Sequence, residues 1–591
     1  MGWPLFFYYV CNMRLSLLLL FVISFVQTSR AQLLLAPDTL RSTDRVIGPA
    51  DSLLQFMDGF SAPFFIRAGQ TQPSLWSIFK PGSAPLTSAN FSHKNITFSA
   101  LPHLGFAYGF GAQGSQRLRL DYEQLFAKHT LLNVRYDRHQ QVGFIRASEL
   151  RMSSLEVQLA QYGKRYQILA SFSNLSNDRQ WSGGLANWSQ IGLVSAELLP
   201  VVKTTAYTFH NGYQAKLDAA YSLGSDSLSG LRIITKNAYQ QQLRRYEETD
   251  SLELYYSQLN FYTDSCRDVF ATQIWQHQVG LAYVQKKFLL SSALELRRMF
   301  WQDNQFSYDT TELNLVNEAK YQFKTGLLKH NSTVNFVGAG GGIHANTCFE
   351  SKLPFGKLQF QHLFLRAWPE LMQRTYFSNL TSYQVVQPQL QQSMLLDAKY
   401  TAQLGPIETR FSMAYMRNQK VYRFNSQLMN WQLVGPQSAY QATLDLVYKT
   451  KGWRFSAQTA YTNWQLSDQN ILPPLTSELH VQWGGGVLKN KQLKLVAGAA
   501  VQAMYGGSFS RMSYLPYLET LDWQVYGNPA LYPVERILNA KAELLLEVKT
   551  FRFFVQATNM LGFVDPSASL FQGIPYPSMQ IRIGLTWDFW N

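Results

Sequence analysis

From about Leu104 onward, apolar and polar side chains alternate with period two in segment after segment. Leu118, Leu120 and Tyr122 share one face, against Arg117, Arg119, Asp121 and Glu123 on the other. Tyr213, Ala215, Leu217, Ala219 and Tyr221 alternate with Gln214, Lys216, Asp218 and Ala220. Ala442, Leu444, Leu446 and Tyr448 alternate with Gln441, Thr443, Asp445 and Val447. Such a pattern belongs to strands with one apolar face, because successive side chains leave a strand on opposite sides. Many apolar faces begin or end in Tyr, Trp or Phe, as aromatic belts at the two interfaces of a bilayer require. The segment from Met579 to Trp590 is the sharpest case. Met579, Ile581, Ile583, Leu585, Trp587 and Phe589 form an unbroken apolar face, against Gln580, Arg582, Gly584, Thr586, Asp588 and Trp590.

The links between segments come in two kinds. Tight turns are expected at Ala127–His129, Gly163-Lys164, Asn211-Gly212, Lys286-Lys287, Lys324-Thr325-Gly326, Gly405-Pro406, Lys449–Gly452, Asn490-Lys491 and Lys549-Thr550. Gly and Asn tolerate the positive φ that such hairpins use. Longer connections are expected at Asn174–Leu199, Ser222–Gly230, Asp303–Glu312 and Gly338–Leu353. Short turns at one end and long loops at the other describe a transmembrane barrel. The fold expected is therefore all-β, a transmembrane antiparallel up-and-down barrel over 101–591 of about 20 strands, within a range of 14–22. Its last strand has to pair with its first, because an open edge in lipid strands backbone groups at several kcal/mol each.

The N-terminus assigns the compartment. Met13-Arg14 precedes an apolar run from Leu15 to Val26, and Ser29 and Ala31 are small residues placed for a cut before Gln32. These are the parts of a secretory leader, expected over 1–31 with Met13 as an alternative start. Its loss lowers the net charge from +14 to +12, because Arg14 and Arg30 leave with it. Residues 32–100, punctuated by Pro37, Pro49, Pro63, Pro73, Pro81 and Pro85, read as a periplasmic or lumen-associated segment. Charged residues make up only 15% of the chain, against roughly 25% in soluble proteins, and aromatics reach 14%. After residue 31 no apolar stretch approaches the 18 residues of a membrane helix. A barrel satisfies both facts, and the location expected is a Gram-negative outer membrane. Cys266 and Cys348 are candidates for a disulfide, although two distant cysteines more often stay apart.

With these strands in view, the chain resembles the putative porin family of Bacteroidota outer membranes. The resemblance rests on Leu118–Tyr122, Leu131–Tyr136, Lys164–Gln167, Ser171–Asn174, Trp181–Leu185 and the closing Gly584–Phe589. It implies a barrel, solute passage and no catalytic residues. A second resemblance joins Phe553–Met560 and the closing strand to the final hairpin of TonB-dependent receptor barrels. Those receptors carry a plug of well over a hundred residues, more than 32–100 supplies. Fatty-acid-type transport barrels, structural or secretion-partner barrels and an outer-membrane hydrolase are further alternatives.

Candidate chemistry is sparse. The ten histidines are scattered, no G-x-S-x-G elbow occurs, and Gly506–Ser510 lacks its final glycine. His344 and Cys348 read as neighbours in a Gly-rich loop, with no second pair to complete a metal site. Gly338–Gly342 follows a strand, but the helix a phosphate loop needs does not follow it. His480, between Leu479 and Val481, is expected to face the lumen. Lys and Arg are spread through strands and turns rather than gathered on one face, which argues against nucleic acid. The expectation is thus a non-enzymatic, porin-like channel without cofactor, passing small hydrophilic solutes. Arg117, Arg119, Asp121, Glu123, Lys216, Asp218, Arg552 and Arg582 are its expected pore lining. Excess lumenal cations favour anions, whereas pairing with Asp121, Glu123, Asp218, Glu543 and Glu547 cancels the preference. The expected partners are outer-membrane lipid and lipopolysaccharide, the barrel-assembly machinery and the solutes themselves.

Overall fold

The computed structural model describes residues 101–590 apart from short stretches, the longest being 250–264, 523–533 and 562–578. The expected leader over 1–31 and the segment 32–100 lie outside the described residues. Successive strands pair antiparallel from His103–Gly111 through to Gln580–Trp590. Those two strands then pair with each other, in register from His103 opposite Trp590 to Gly111 opposite Arg582. The sheet is therefore closed. One of its 23 strands, Asn430–Val434, pairs only with the end of Ile407–Asn425 and stands outside the ring, leaving 22 around the wall.

Closure is what the expected last strand requires. Gln580–Trp590 is hydrogen-bonded on both sides, to His103–Gly111 and to Phe551–Thr558. No backbone edge is left open to lipid at the seam.

Ten connections lie at one end of the barrel and eleven at the other. At the first end most are tight, including Lys286-Lys287, Lys324-Thr325, Gly405-Pro406, Lys451-Gly452 and Lys549-Thr550. At the other end they are longer, as between Gln180 and Tyr207 and between Ala367 and Gln391. Several expected links are corrected. Asn211-Gly212 is not a turn but the interior of Tyr207–Ser222, where the alternation of Tyr213–Tyr221 simply continues upstream. Pro354-Phe355 is a tight turn that the sequence reading passed over. The Ser222–Gly230 connection sits at the short-turn end. Asn174 lies inside Tyr166–Gln180, Glu312 inside Ser307–Phe323, and most of Gly338–Leu353 is the strand Ile343–Leu353. Polar residues on both faces of these segments hid their strands. His344 and Cys348 accordingly stand on that strand, not in a loop.

The two faces of the wall differ as the alternation demands. Leu217 is 41% exposed, whereas Gln214, on the opposite face of the same strand, is 8% exposed. Leu231, Leu281, Leu294, Leu444, Leu479 and Ile581 are exposed likewise, forming the outer surface. Rings gather at its two margins. Tyr448 lies 6.2 Å from Phe455, and Phe551 lies 5.8 Å from Trp587, near the short turns. Tyr440 lies 6.4 Å from Tyr461 near the long loops, and Tyr213, Tyr239 and Trp275 form a tilted row further down, the last two 4.2 Å apart. No helix among the described residues is long and apolar enough to cross a membrane.

A charge on the outer face therefore has to cost far more than one on the inner face. Leu585→Arg, outward on Gln580–Trp590 and two residues inside the Trp587 ring, is expected to destabilise the barrel by about 1–3 kcal/mol, between the interface and midplane costs. Thr586→Arg, one residue on, is expected to cost clearly less. Reversible denaturant unfolding in lipid vesicles measures both.

Candidate functional site: the inner wall and the loop-crossed mouth

The inner face is densest in charge beside the seam. His103–Gly111 contributes almost no side chain there beyond His103, since its inward positions are Gly105, Ala107, Gly109 and Gly111. This bare strip lets long side chains from both neighbours lie flat across it. A Cβ on Gly111 would stand 2.8 Å from Cγ of Arg582.

The cations drawn into this region meet acids. Arg117 clasps Asp137 with Nε and Nη2 at 3.0 and 2.6 Å. Asp121 accepts from Arg119 at 2.6 Å and also from Arg135, which reaches Glu156 at 3.6 Å. Arg552 lies between Glu547 at 3.4 Å and Asp588 at 3.5 Å, and Asp588 also meets His103 at 3.2 Å. Further round, Lys541 meets Glu478 at 2.9 Å and His480 meets Glu543 at 3.4 Å. His480 thus stands on the inner face, as its alternation implies.

Six of the eight expected lining residues are brought together by the seam: Arg117, Arg119, Asp121, Glu123, Arg552 and Arg582. Lys216 and Asp218 share an inward face four strands away, on Tyr207–Ser222. Arg582 is only 1% exposed, donating to Gln580 at 2.6 Å, and Glu123 is 5% exposed. The field of this wall is that of close ion pairs, which falls off over a few ångströms in water.

The mouth at the long-loop end holds what the sequence reading missed. Residues 368–390 leave the wall after Ala367 and return at Gln391, carrying a helical turn, Leu371–Arg374, and a small hairpin, Thr375–Phe377 with Ser382–Gln384. Tyr376 is buried, and its Oη accepts from Nη2 of Arg244 at 2.8 Å. The Arg244 guanidinium also faces the rings of Phe270 and Tyr376, at 5.6 and 5.8 Å. Arg244 stands six strands back along the wall, on Gly230–Glu248. Burial pushes the Tyr376 hydroxyl up from its ordinary range, with Arg244 opposing, so it stays a neutral acceptor.

Asp303 ties the same loop to the wall. Its Oδ1 accepts from the backbone N–H groups of Gln305 and Phe306, and its Oδ2 from that of Phe377 at 3.1 Å. In the other direction Tyr383 lies 6.0 Å from Tyr376 and 6.2 Å from Phe424, and Trp431 Nε1 donates to its Oη at 2.7 Å. The loop therefore touches the inner wall at Gly230–Glu248 and, eight strand intervals away, the end of Ile407–Asn425 that pairs with Asn430–Val434.

Residues 181–206 fold over the same wall. Leu185 and Leu199 pack with Phe144 and Ile145 from the preceding loop. Lys203 Nζ reaches the buried Glu248 at 2.9 and 3.0 Å, and Tyr246 donates to the same carboxylate at 2.6 Å. Lys203–Glu248 and Arg244–Tyr376 thus fasten two loops to one strand, four residues apart. The sequence held a partial signal, because Trp181–Leu185 was among the segments carrying the family resemblance. Cys266 and Cys348 are both free thiols, on different strands. Among the described residues no group of three or more His, Cys, Asp or Glu side chains is placed to hold a metal ion.

Known structures share this barrel at low identity. It is similar to the copper transporter OprC, with TM-score 0.59, 10% identity, and 84% of this chain and 82% of that one covered. It is also similar to the FrpB iron transporter from Neisseria meningitidis, with TM-score 0.56, 10% identity, and 83% and 82% covered. A third is the ferric-catecholate import receptor Fiu from E. coli, with TM-score 0.55, 10% identity, and 83% and 82% covered. At such identities the likeness is one of fold. No curated protein matches the chain. The family described as putative porin matches residues 94–591, the whole of the barrel, and the chain belongs to that family.

Proposed function

We propose that the protein is an outer-membrane channel through which small hydrophilic solutes diffuse, its width set by the inward-folded loop 368–390. The observation that carries this reading is a polar, ion-paired inner wall whose mouth is crossed by a fastened loop. Geometry explains why the loop is needed. A ring of 22 strands at about 4.8 Å spacing, tilted by about 40°, has a backbone diameter of about 44 Å. A bare hole of that size would discriminate little among solutes. Chain laid across it turns a hole into a filter.

Selectivity follows from which charges water reaches. The seam cations are matched by acids, so they bias ion flow weakly. Lys320 and Lys329, exposed on the inner face of Ser307–Phe323 and Gly326–Val337, are better placed to favour anions. A second reading, a substrate-specific transporter barrel, draws on the strand number, because 22-stranded outer-membrane transporters keep a plugged lumen. The two readings part on passive conductance without an energised partner.

Planar-bilayer recordings with the full chain test the proposal, which expects steady conductance; silence at every voltage favours the transporter. Tyr376→Ala is expected to raise single-channel conductance and to open the folded protein to trypsin after Arg374, read by limited proteolysis. Under a salt gradient, Lys320→Glu with Lys329→Glu is expected to move the reversal potential toward cations. Liposome swelling with graded sugars gives the size cut-off, which Tyr376→Ala should raise.

A further inference from the structure

Most of the described outer wall is apolar at mid-height. Leu104, Phe106 and Tyr108 line it on one side of the seam, and Ile581, Ile583 and Leu585 on the other. Leu444 and Leu446, with Leu479 and Val481, continue it. Isolated polar pairs interrupt it, such as Thr459 with Ser477, and one sector departs from it furthest. On the strands between Gly230–Glu248 and Gly356–Ala367, outward positions carry Asn237, His277, Ser292, Asn317, His330, Ser332, Thr347 and His362. These groups bond to one another across neighbouring strands. His277 Nδ1 lies 3.0 Å from Asn237 Oδ1, Ser292 Oγ donates to Asn317 Oδ1 at 2.9 Å, and His330 Nδ1 lies 2.9 Å from Thr347 Oγ1.

The sector lies within the membrane span. Tyr321, Phe323 and Phe349 stack along its lower margin, at 6.3 and 5.6 Å between successive rings. Asn317 is four residues up the strand from Tyr321. That is about 13 Å of strand, and roughly 10 Å of depth at a tilt near 40° within an apolar band about 25 Å tall. Three of the ten histidines in the chain face outward here, where lipid tails offer them no partner.

We propose that the five-strand part of this sector from Phe288–Gln302 to Gly356–Ala367 is where a second copy of the chain docks within the membrane. Its chemistry is self-complementary. Asn, Ser, Thr and neutral His each donate and accept, so two copies related by symmetry satisfy one another. No charged side chain lies in the stripe itself; at its upper rim Arg298 and Asp309 are paired at 2.5 Å, and Arg366 also faces outward there. Ser292, Ala319, Ser332 and Ala345 are small enough for two walls to approach closely, as membrane interfaces favour. Five strands by the height of the apolar band give roughly 700 Å², near the ~800 Å² each partner contributes to a stable interface.

The inference rests on the chain spanning a membrane but not on what it conducts. The test uses the full chain with Cys266→Ser and Cys348→Ser, purified in mild detergent. Light scattering coupled to size exclusion is expected to give the mass of two or more chains. Asn317→Leu with His330→Leu and His362→Leu is expected to give one chain, still migrating as a folded, heat-modifiable barrel. In native membranes, Ser332→Cys is expected to form disulfides between copies, whereas Leu585→Cys, beside the seam, is not. A single-chain mass before substitution, an unchanged assembly in the triple variant, extra mass traced to bound lipid, or equal cross-linking at Leu585→Cys would each overturn the proposal.

Discussion

Backbone hydrogen bonding at the seam is the constraint on which the rest depends. In lipid an unpaired N–H or C=O has no water to turn to. A sheet crossing that medium must return to itself, and this one does so where His103–Gly111 meets Gln580–Trp590. Once closed, every strand has one face toward lipid and one toward the interior. Alternation stops being a local habit and becomes a global rule. The exposed leucines and the rings at both margins follow from it.

Closure also creates a difficulty that the inner wall and the loops answer. Twenty-two strands enclose more space than wall side chains can fill. Beside the seam, glycines on the first strand let arginines lie along the wall and meet carboxylates from neighbouring strands. At the mouth, chain comes inward instead. Arg244, Glu248 and Asp303 are anchors for loops that fold back over the wall, and their burial there requires partners. Each is a polar group removed from water, stable only while the loop stays folded over it. Position and charge are thereby coupled.

How much of this was legible beforehand differs by level. The wall was legible because its rule is periodic. Leu118–Tyr122, Tyr213–Tyr221 and Gln580–Trp590 all lie on the strands and faces that alternation assigns. Where a strand carries polar residues on both faces, as Ile343–Leu353 does with His344, Asn346 and Thr347, period two fades and the segment reads as loop. That same polarity hid the outward stripe. The pairing of Arg117 with Asp137, or of Arg135 with Asp121, depends on register between strands, which no single segment encodes. The mouth was least legible. Tyr376 and Arg244 are 132 residues apart, and nothing local to either announces the other.

The central claim is that alternate residues of each wall strand meet oil and water in turn. Single cysteines placed from Gln441 to Tyr448, in a chain lacking Cys266 and Cys348 and reconstituted in lipid vesicles, test it most directly. A membrane-impermeant maleimide is expected to label with period two, reacting at Gln441, Thr443, Asp445 and Val447. It should spare Ala442, Leu444 and Leu446. Labelling without that period, or a pattern with the two sets exchanged, would contradict the closed transmembrane wall.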